Sequence, residues 1–235
     1  MIALAASSIA LALAGGGIRE AQIAIPPELA GETEILLVRG LGGDSSGTFT
    51  LGSSKGRFTR SAERLGLPDP LVVRNRGRSS FRLSGPEVPG ELSGRCAFGE
   101  TQASLGHFAA TPRRLVYSCR FSRDGQPIAA ELVLRETDES LGSLFSKRER
   151  RGSLYYEGVR IEFRSLHRDR RGGLPMATPL GYAFYSDGRQ IAAVDLNGSR
   201  TRIHAPRTGQ QREAVIAASL ALSVFWDPAE AAPDG

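Results

Sequence analysis

An Asp-Gly dipeptide between an aromatic segment and the run Ile-Ala-Ala occurs twice in this chain, and no other feature constrains the fold as strongly. The first copy is Asp124-Gly125, followed by Ile128-Ala129-Ala130-Glu131-Leu132. The second is Asp187-Gly188, followed by Ile191-Ala192-Ala193-Val194-Asp195-Leu196. The aromatic segments before them are 117–121 and 182–185. Gly takes a positive φ without a Cβ clash and Asp tolerates one, so Asp-Gly between apolar runs specifies a tight hairpin turn. A looser third copy is read over 71–81, with strands at 71–75 and 78–83 on either side of Arg76-Gly77. The chain is therefore expected to be a β-protein assembled from similar hairpins.

Other segments extend this pattern. Residues 34–39 read as a first strand, and 40–47 as a Gly/Ser/Asp loop. Residues 48–51 and 57–60 alternate around Gly52-Ser53-Ser54-Lys55-Gly56, and strands are read at 91–98, 114–122 and 127–135. The clearest alternation puts Val159, Ile161 and Phe163 on one face and Arg160, Glu162 and Arg164 on the other, which is a half-buried strand with a charged outer face. Residues 140–149 read as a short helix with Leu141, Leu144 and Phe145 inward.

The C-terminal element differs in kind. Residues 210–226 read as a helix that is apolar almost all round beyond its first turn, with Thr208 and Gln211 at capping-box spacing and Asp227-Pro228 as the stop. Such a helix is buried on every face, and it is shorter than the roughly 20 apolar residues of a membrane span. Among strands, a closed or nearly closed sheet can enclose it. The expected fold is mainly β (α+β by count): an antiparallel hairpin-built barrel, or a strongly curved sheet, packed around one apolar C-terminal helix. At 235 residues, a sandwich or barrel of this kind is commonly one domain. It is placed at 31–228, with a signal peptide at 1–14, a linker at 15–30 and a disordered tail at 229–235.

Paired strand–Asp-Gly–strand hairpins followed by one apolar helix resemble the tubby-like fold shared with phospholipid scramblases. The residues that carry the resemblance are Asp124-Gly125, Asp187-Gly188, the two Ile-Ala-Ala runs and 214–226, and the pattern covers 56–226. The resemblance implies a β-barrel wrapped on its helix, in proteins that are mostly intracellular and often lipid-associated.

Residues 2–14 are uncharged and apolar, and Ala12-Leu13-Ala14 before Gly15 fits a small-x-small cleavage site. No Lys or Arg precedes the run, and a buried N-terminal helix is the alternative. Cys96 and Cys119 lie in strand-like segments that can return antiparallel through Gly106 and Pro112. An even pair in an exported chain reads as a disulfide, with two buried thiols as the alternative. Two Cys without further ligands at metal spacing do not close a zinc shell, and His107, His167 and His204 are scattered, so no metal is expected.

No catalytic motif or cofactor loop stands out. Gly43-Asp44-Ser45-Ser46-Gly47 resembles a serine-protease nucleophile loop, but the first His lies downstream at His107, against that order. Glu131 and Asp195 occupy equivalent repeat positions and form a weak acid/base candidate. No Gly-rich phosphate loop precedes a helix, so no nucleotide or other cofactor is expected.

The residues singled out are basic. Lys147, Arg148, Arg150 and Arg151, with Arg164, Arg168, Arg170 and Arg171, flank the alternating strand. If 154–156 pairs with 159–163 through Glu157-Gly158, both runs emerge at one hairpin end and their fields sum beside Tyr155 or Tyr156. Lys+Arg 30 against Asp+Glu 25 gives a net charge of +5, a modest excess. Nearly all of it is Arg, with lysine only at Lys55 and Lys147. The chain is thus expected to be an exported, periplasmic or cell-envelope protein without catalysis. Its expected partners are an anionic lipid, an envelope polyanion or a protein; nucleic acid is not expected, and the expected state is a monomer. The alternatives are an envelope-associated hydrolase and a cytosolic lipid-associated tubby-like module.

Overall fold

The computed structural model describes residues 22–42, 44–66, 72–105, 108–137, 148–197 and 200–226, with side chains described except at 64–66, 72–74, 102–105 and 108–113. The elements run α1 (Pro27–Glu32), β1 (Thr33–Arg39), β2 (Ser46–Leu51), β3 (Ser54–Gly66), β4 (Val72–Ser84), β5 (Glu91–Leu105), β6 (Phe108–Arg123), β7 (Gln126–Glu136), β8 (Arg150–Tyr156), β9 (Val159–Leu166), β10 (Gly181–Ser186), β11 (Arg189–Asp195), β12 (Thr201–Pro206) and α2 (Gln210–Ser223). Each strand pairs antiparallel with its sequence neighbour, and β1 closes on β12 to make a twelve-strand barrel. The signal peptide, the 140–147 part of the short helix, His107, Lys147 and the tail lie outside the described residues.

Two-residue turns drive this meander. Asp124 and Gly125 have φ 50° and 78°, Asp187 and Gly188 have 50° and 77°, and Glu157 and Gly158 have 47° and 98°. Positive φ at both central positions gives the strand twist that a right-handed ribbon needs. The expected third copy fails. Gly77 lies inside the unbroken strand β4, directly across from Phe98, whose ring occupies the space a Cβ would fill. Gly56 likewise lies within β3 rather than in the turn, which is Gly52-Ser53. These glycines serve packing. Phe49 opposes Gly56, Phe81 opposes Gly94, Phe98 opposes Gly77 and Phe163 opposes Gly152, and each ring lies against its glycine. Folding the rings flat on the wall leaves the barrel axis to the helix.

α2 fills that axis. Ala214 to Leu222 are all buried, from 0% to 2% exposed. Inward residues of the strands, among them Leu83, Tyr117, Leu132, Ile161 and Ile203, close around it in one core. The Tyr117 hydroxyl donates to the Ala221 carbonyl at 2.7 Å and lies 3.0 Å from Ser79 Oγ. Burial pushes this phenol well above its ordinary range. The expected capping box does not form: the N-cap is Gly209, without a side-chain cap bond, and Gln211 reaches Ser186 instead. The helix ends at Ser223 rather than 226, and Phe225 turns back onto Tyr117 and Phe98.

Residues 22–30, expected as part of a linker, are docked. Ile23 and Leu29 pack on Leu180 and Ala193 outside β10–β11. Asp195, 2% exposed, accepts the Ile23 amide through Oδ2 and the Asn197 amide through Oδ1. Covering both faces of this hairpin explains why Ile191 to Val194 is a continuous apolar run, whereas the first repeat alternates.

His204 on β12 carries a pH consequence. Burial, and secondarily the nearby Arg202, hold its imidazole below the ordinary value of about 6.5. The unfolded chain then takes up this proton first as pH falls, so stability present above about pH 6.5 is lost between there and the folded value. Melting temperature measured from pH 7.5 downward should fall over that window, and His204→Gln should flatten the fall.

Candidate functional site

Parity along β8 and β9 decides which arginines face water. Leu154, Tyr156, Ile161 and Phe163 point inward, so Arg151, Arg160 and Arg164 point out. The hairpin pairs through Glu157-Gly158 as expected, with Arg151 directly across from Arg164. Arg135 of β7 lies directly across from Arg151 on the other side. Three exposed arginines thus stand in one register row across β7, β8 and β9. Like charges directly opposed on a sheet destabilise it. Beyond the row, Arg168 and Arg170 are exposed in the loop after β9. Arg164 lies 5.3 Å over the Tyr185 ring, and exposed Tyr155 lies on the same outer face.

Arg150 does not belong to this face. It sits at an inward position of β8, is 3% exposed, and has its guanidinium 5.4 Å over the Phe225 ring. There it stands beside the last turn of α2, whose carbonyl end favours a cation. Arg148 is half-buried, with its amide donating to the Ala177 carbonyl. Arg171 is spent locally: its guanidinium and amide donate to Asp169, whose carboxyl they hold well below the usual carboxylate range. Of the eight expected anion-binding residues, Arg151, Arg164, Arg168 and Arg170 remain as an exposed set, and Arg135 joins them. Only strand register reveals Arg135; its sequence signal is its outward parity with Glu131 and Val133.

Both barrel ends are closed by charge and rings. At the helix N-terminus, Arg123 donates to both Glu157 oxygens and to Tyr156 and Glu213, and Arg212 donates to Glu34 and Glu87. At the other end a cavity of about 320 Å³ is lined by Arg60, Arg150, Tyr182 and Phe225, among others. Arg60 there donates to the Gly42 and Asp44 carbonyls and lies over Phe58 and Trp226.

The acid/base candidates separate. Glu131 is exposed on β7, while Asp195 is buried on β11 as the anchor of Ile23. His167 is a buried tie: its ring lies 2.9 Å from both Ser165 Oγ and the Met176 carbonyl. A carbonyl only accepts, so Nδ1 donates its proton to Met176, and Nε2 is paired with the Ser165 hydroxyl. The Ser165 oxygen in turn accepts the Arg150 amide, which fixes the loop after β9 to the β8 edge. Among the described residues no group of three or more His, Cys, Asp or Glu is placed to hold a metal ion. No helix among them is long and apolar enough to cross a membrane. The chain matches no protein-family model, and no curated protein and no solved structure matches it.

Proposed function

We propose that this chain is an exported, non-catalytic cell-envelope protein that binds an anionic surface through the β7–β9 wall. The observation that carries the reading is the row Arg135–Arg151–Arg164, prolonged by Arg168 and Arg170. Three exposed cations held in register are suited to a surface of phosphate groups. Export is supported by the apolar run 2–14 and by Cys96 and Cys119, which stand at disulfide distance. A tubby-like or scramblase-like relationship is part of the same reading, supported by a closed barrel wrapped on a C-terminal helix buried on every face.

Sedimentation with phosphatidylglycerol-containing vesicles tests it. Binding should weaken with salt, because exposed charges are screened beyond about 10 Å at 0.1 M. Each arginine replaced by serine should cost on the order of 1 kcal/mol of affinity. Replacing Arg135, Arg151, Arg164, Arg168 and Arg170 together should abolish binding and should not lower the melting temperature, since all five are exposed. A parent protein that ignores anionic vesicles at low salt overturns the lipid reading.

A further inference from the structure

A second basic feature lies on the opposite wall, five strands round the barrel from β8. It is a groove of about 700 Å³ on the outer face of β1–β5. Register builds it. One row across the strands reads Arg39, Thr50, Lys55, Ser84, Glu91, each residue directly opposite the next. In the adjacent row Arg57 stands directly across from Arg82. Gly40 and Gly56 line the floor of the groove between the cations.

Arg39, Lys55, Arg57 and Arg82 are all exposed, and among the described residues none of them reaches a carboxylate within ion-pair distance. Among the described residues the opposed pair Arg57–Arg82 therefore stands without an ion-pair partner, and like charges so opposed repel. A guanidinium presents a planar fork of donors that suits the oxygens of a phosphate or sulfate group, and the register brings two to neighbouring positions. The far end of the groove has different chemistry. Glu91 accepts from the Ser84 hydroxyl at 3.4 Å and repels an anion, but its carboxylate is a good acceptor for the hydroxyls of a sugar. With strands about 4.8 Å apart, the five-strand row spans roughly 19 Å, the reach of a short oligosaccharide.

We propose that this groove is a binding site for an anionic saccharide: a sugar body whose phosphate or sulfate groups sit on Arg57 and Arg82 while its hydroxyls meet Thr50, Ser84 and Glu91. The site shares no residue with the β7–β9 wall and stands or falls without it.

Calorimetric titration with a sulfated heparin tetrasaccharide, its desulfated counterpart and sodium sulfate, at about 0.1 M salt, tests the assignment. The sulfated tetrasaccharide should bind, and the other two should bind at least roughly tenfold more weakly. Arg57→Ser with Arg82→Ser should weaken binding roughly tenfold or more, while Arg200→Ser with Arg207→Ser, an equal loss of exposed charge outside both basic walls, leaves it unchanged. The double variant at 57 and 82 should melt no lower than the parent, because it relieves a like-charge contact, so lost binding is not lost folding. Glu91→Gln is the sharpest arm. If sugar hydroxyls meet this carboxylate, its removal weakens the tetrasaccharide; tighter binding would mean that net charge alone attracts it, and would overturn the saccharide assignment. So would unchanged binding by the 57/82 variant, or no binding by the parent.

Discussion

Leu220→Asp should leave the chain without its native state. Leu220 is fully buried midway along α2, in a helix whose neighbours from Ala214 to Leu222 are also buried. The core cluster around it is made of apolar side chains, and burying a carboxylate unpaired among them costs several kcal/mol. The stability of a whole domain is only about 5–15 kcal/mol. Loss of near-UV circular dichroism and of a cooperative melt is the expected result. Leu220→Met, which keeps volume and polarity, should cost less than about 1.5 kcal/mol and separates a polarity effect from general intolerance of change. An Asp variant that melts like the parent contradicts the enclosure of the helix.

Removing the Cys96–Cys119 link should cost about 3 kcal/mol. The two residues face each other across β5 and β6, with Cα atoms 4.0 Å apart and a sequence separation of 23. Bridging them restricts the unfolded chain by that loop. The Cys96→Ala/Cys119→Ala variant should therefore melt roughly 6–12 °C lower, given about 2–4 °C per kcal/mol at this size. Both sulfurs are buried, so alanine tests the link without adding a polar atom to the core. Mass spectrometry without reductant should find no alkylatable thiol in protein from an oxidising compartment. Two free thiols there would contradict the link, and with it one support for export.

What can be read from the sequence follows from how local each determinant is. Asp124-Gly125 and Asp187-Gly188 act within four residues, so their turns are legible. Alternation along one strand is enough to assign Ile161 and Phe163 to the inner face. The turn rule fails at Gly77 because a glycine that makes room for the Phe98 ring looks, in one dimension, like a glycine that turns the chain. The same alternation along β8 turns Arg150 inward, but a string of basic residues masks it. Arg135 and the pair Arg57–Arg82 depend on which residues face each other across strands, and register is set by turns and stagger rather than by composition. The docking of Ile23 on β10–β11 joins segments 172 residues apart, beyond the reach of any local pattern.

The seam between β1 and β12 has a kinetic corollary. It pairs Ile35 with His204, so the sheet has two open edges until almost the whole chain is available. α2 follows β12, so the apolar lining has nothing to enclose until the last strand has been made. Non-local pairing of this kind folds slowly, and unpaired edges over an unfilled interior are sites for intermolecular pairing. Refolding from denaturant should be slow and should lose yield as protein concentration rises. In the closed molecule every strand is paired on both sides over part of its length, so once formed it should be less open to the same association. The hazard belongs to the interval before closure.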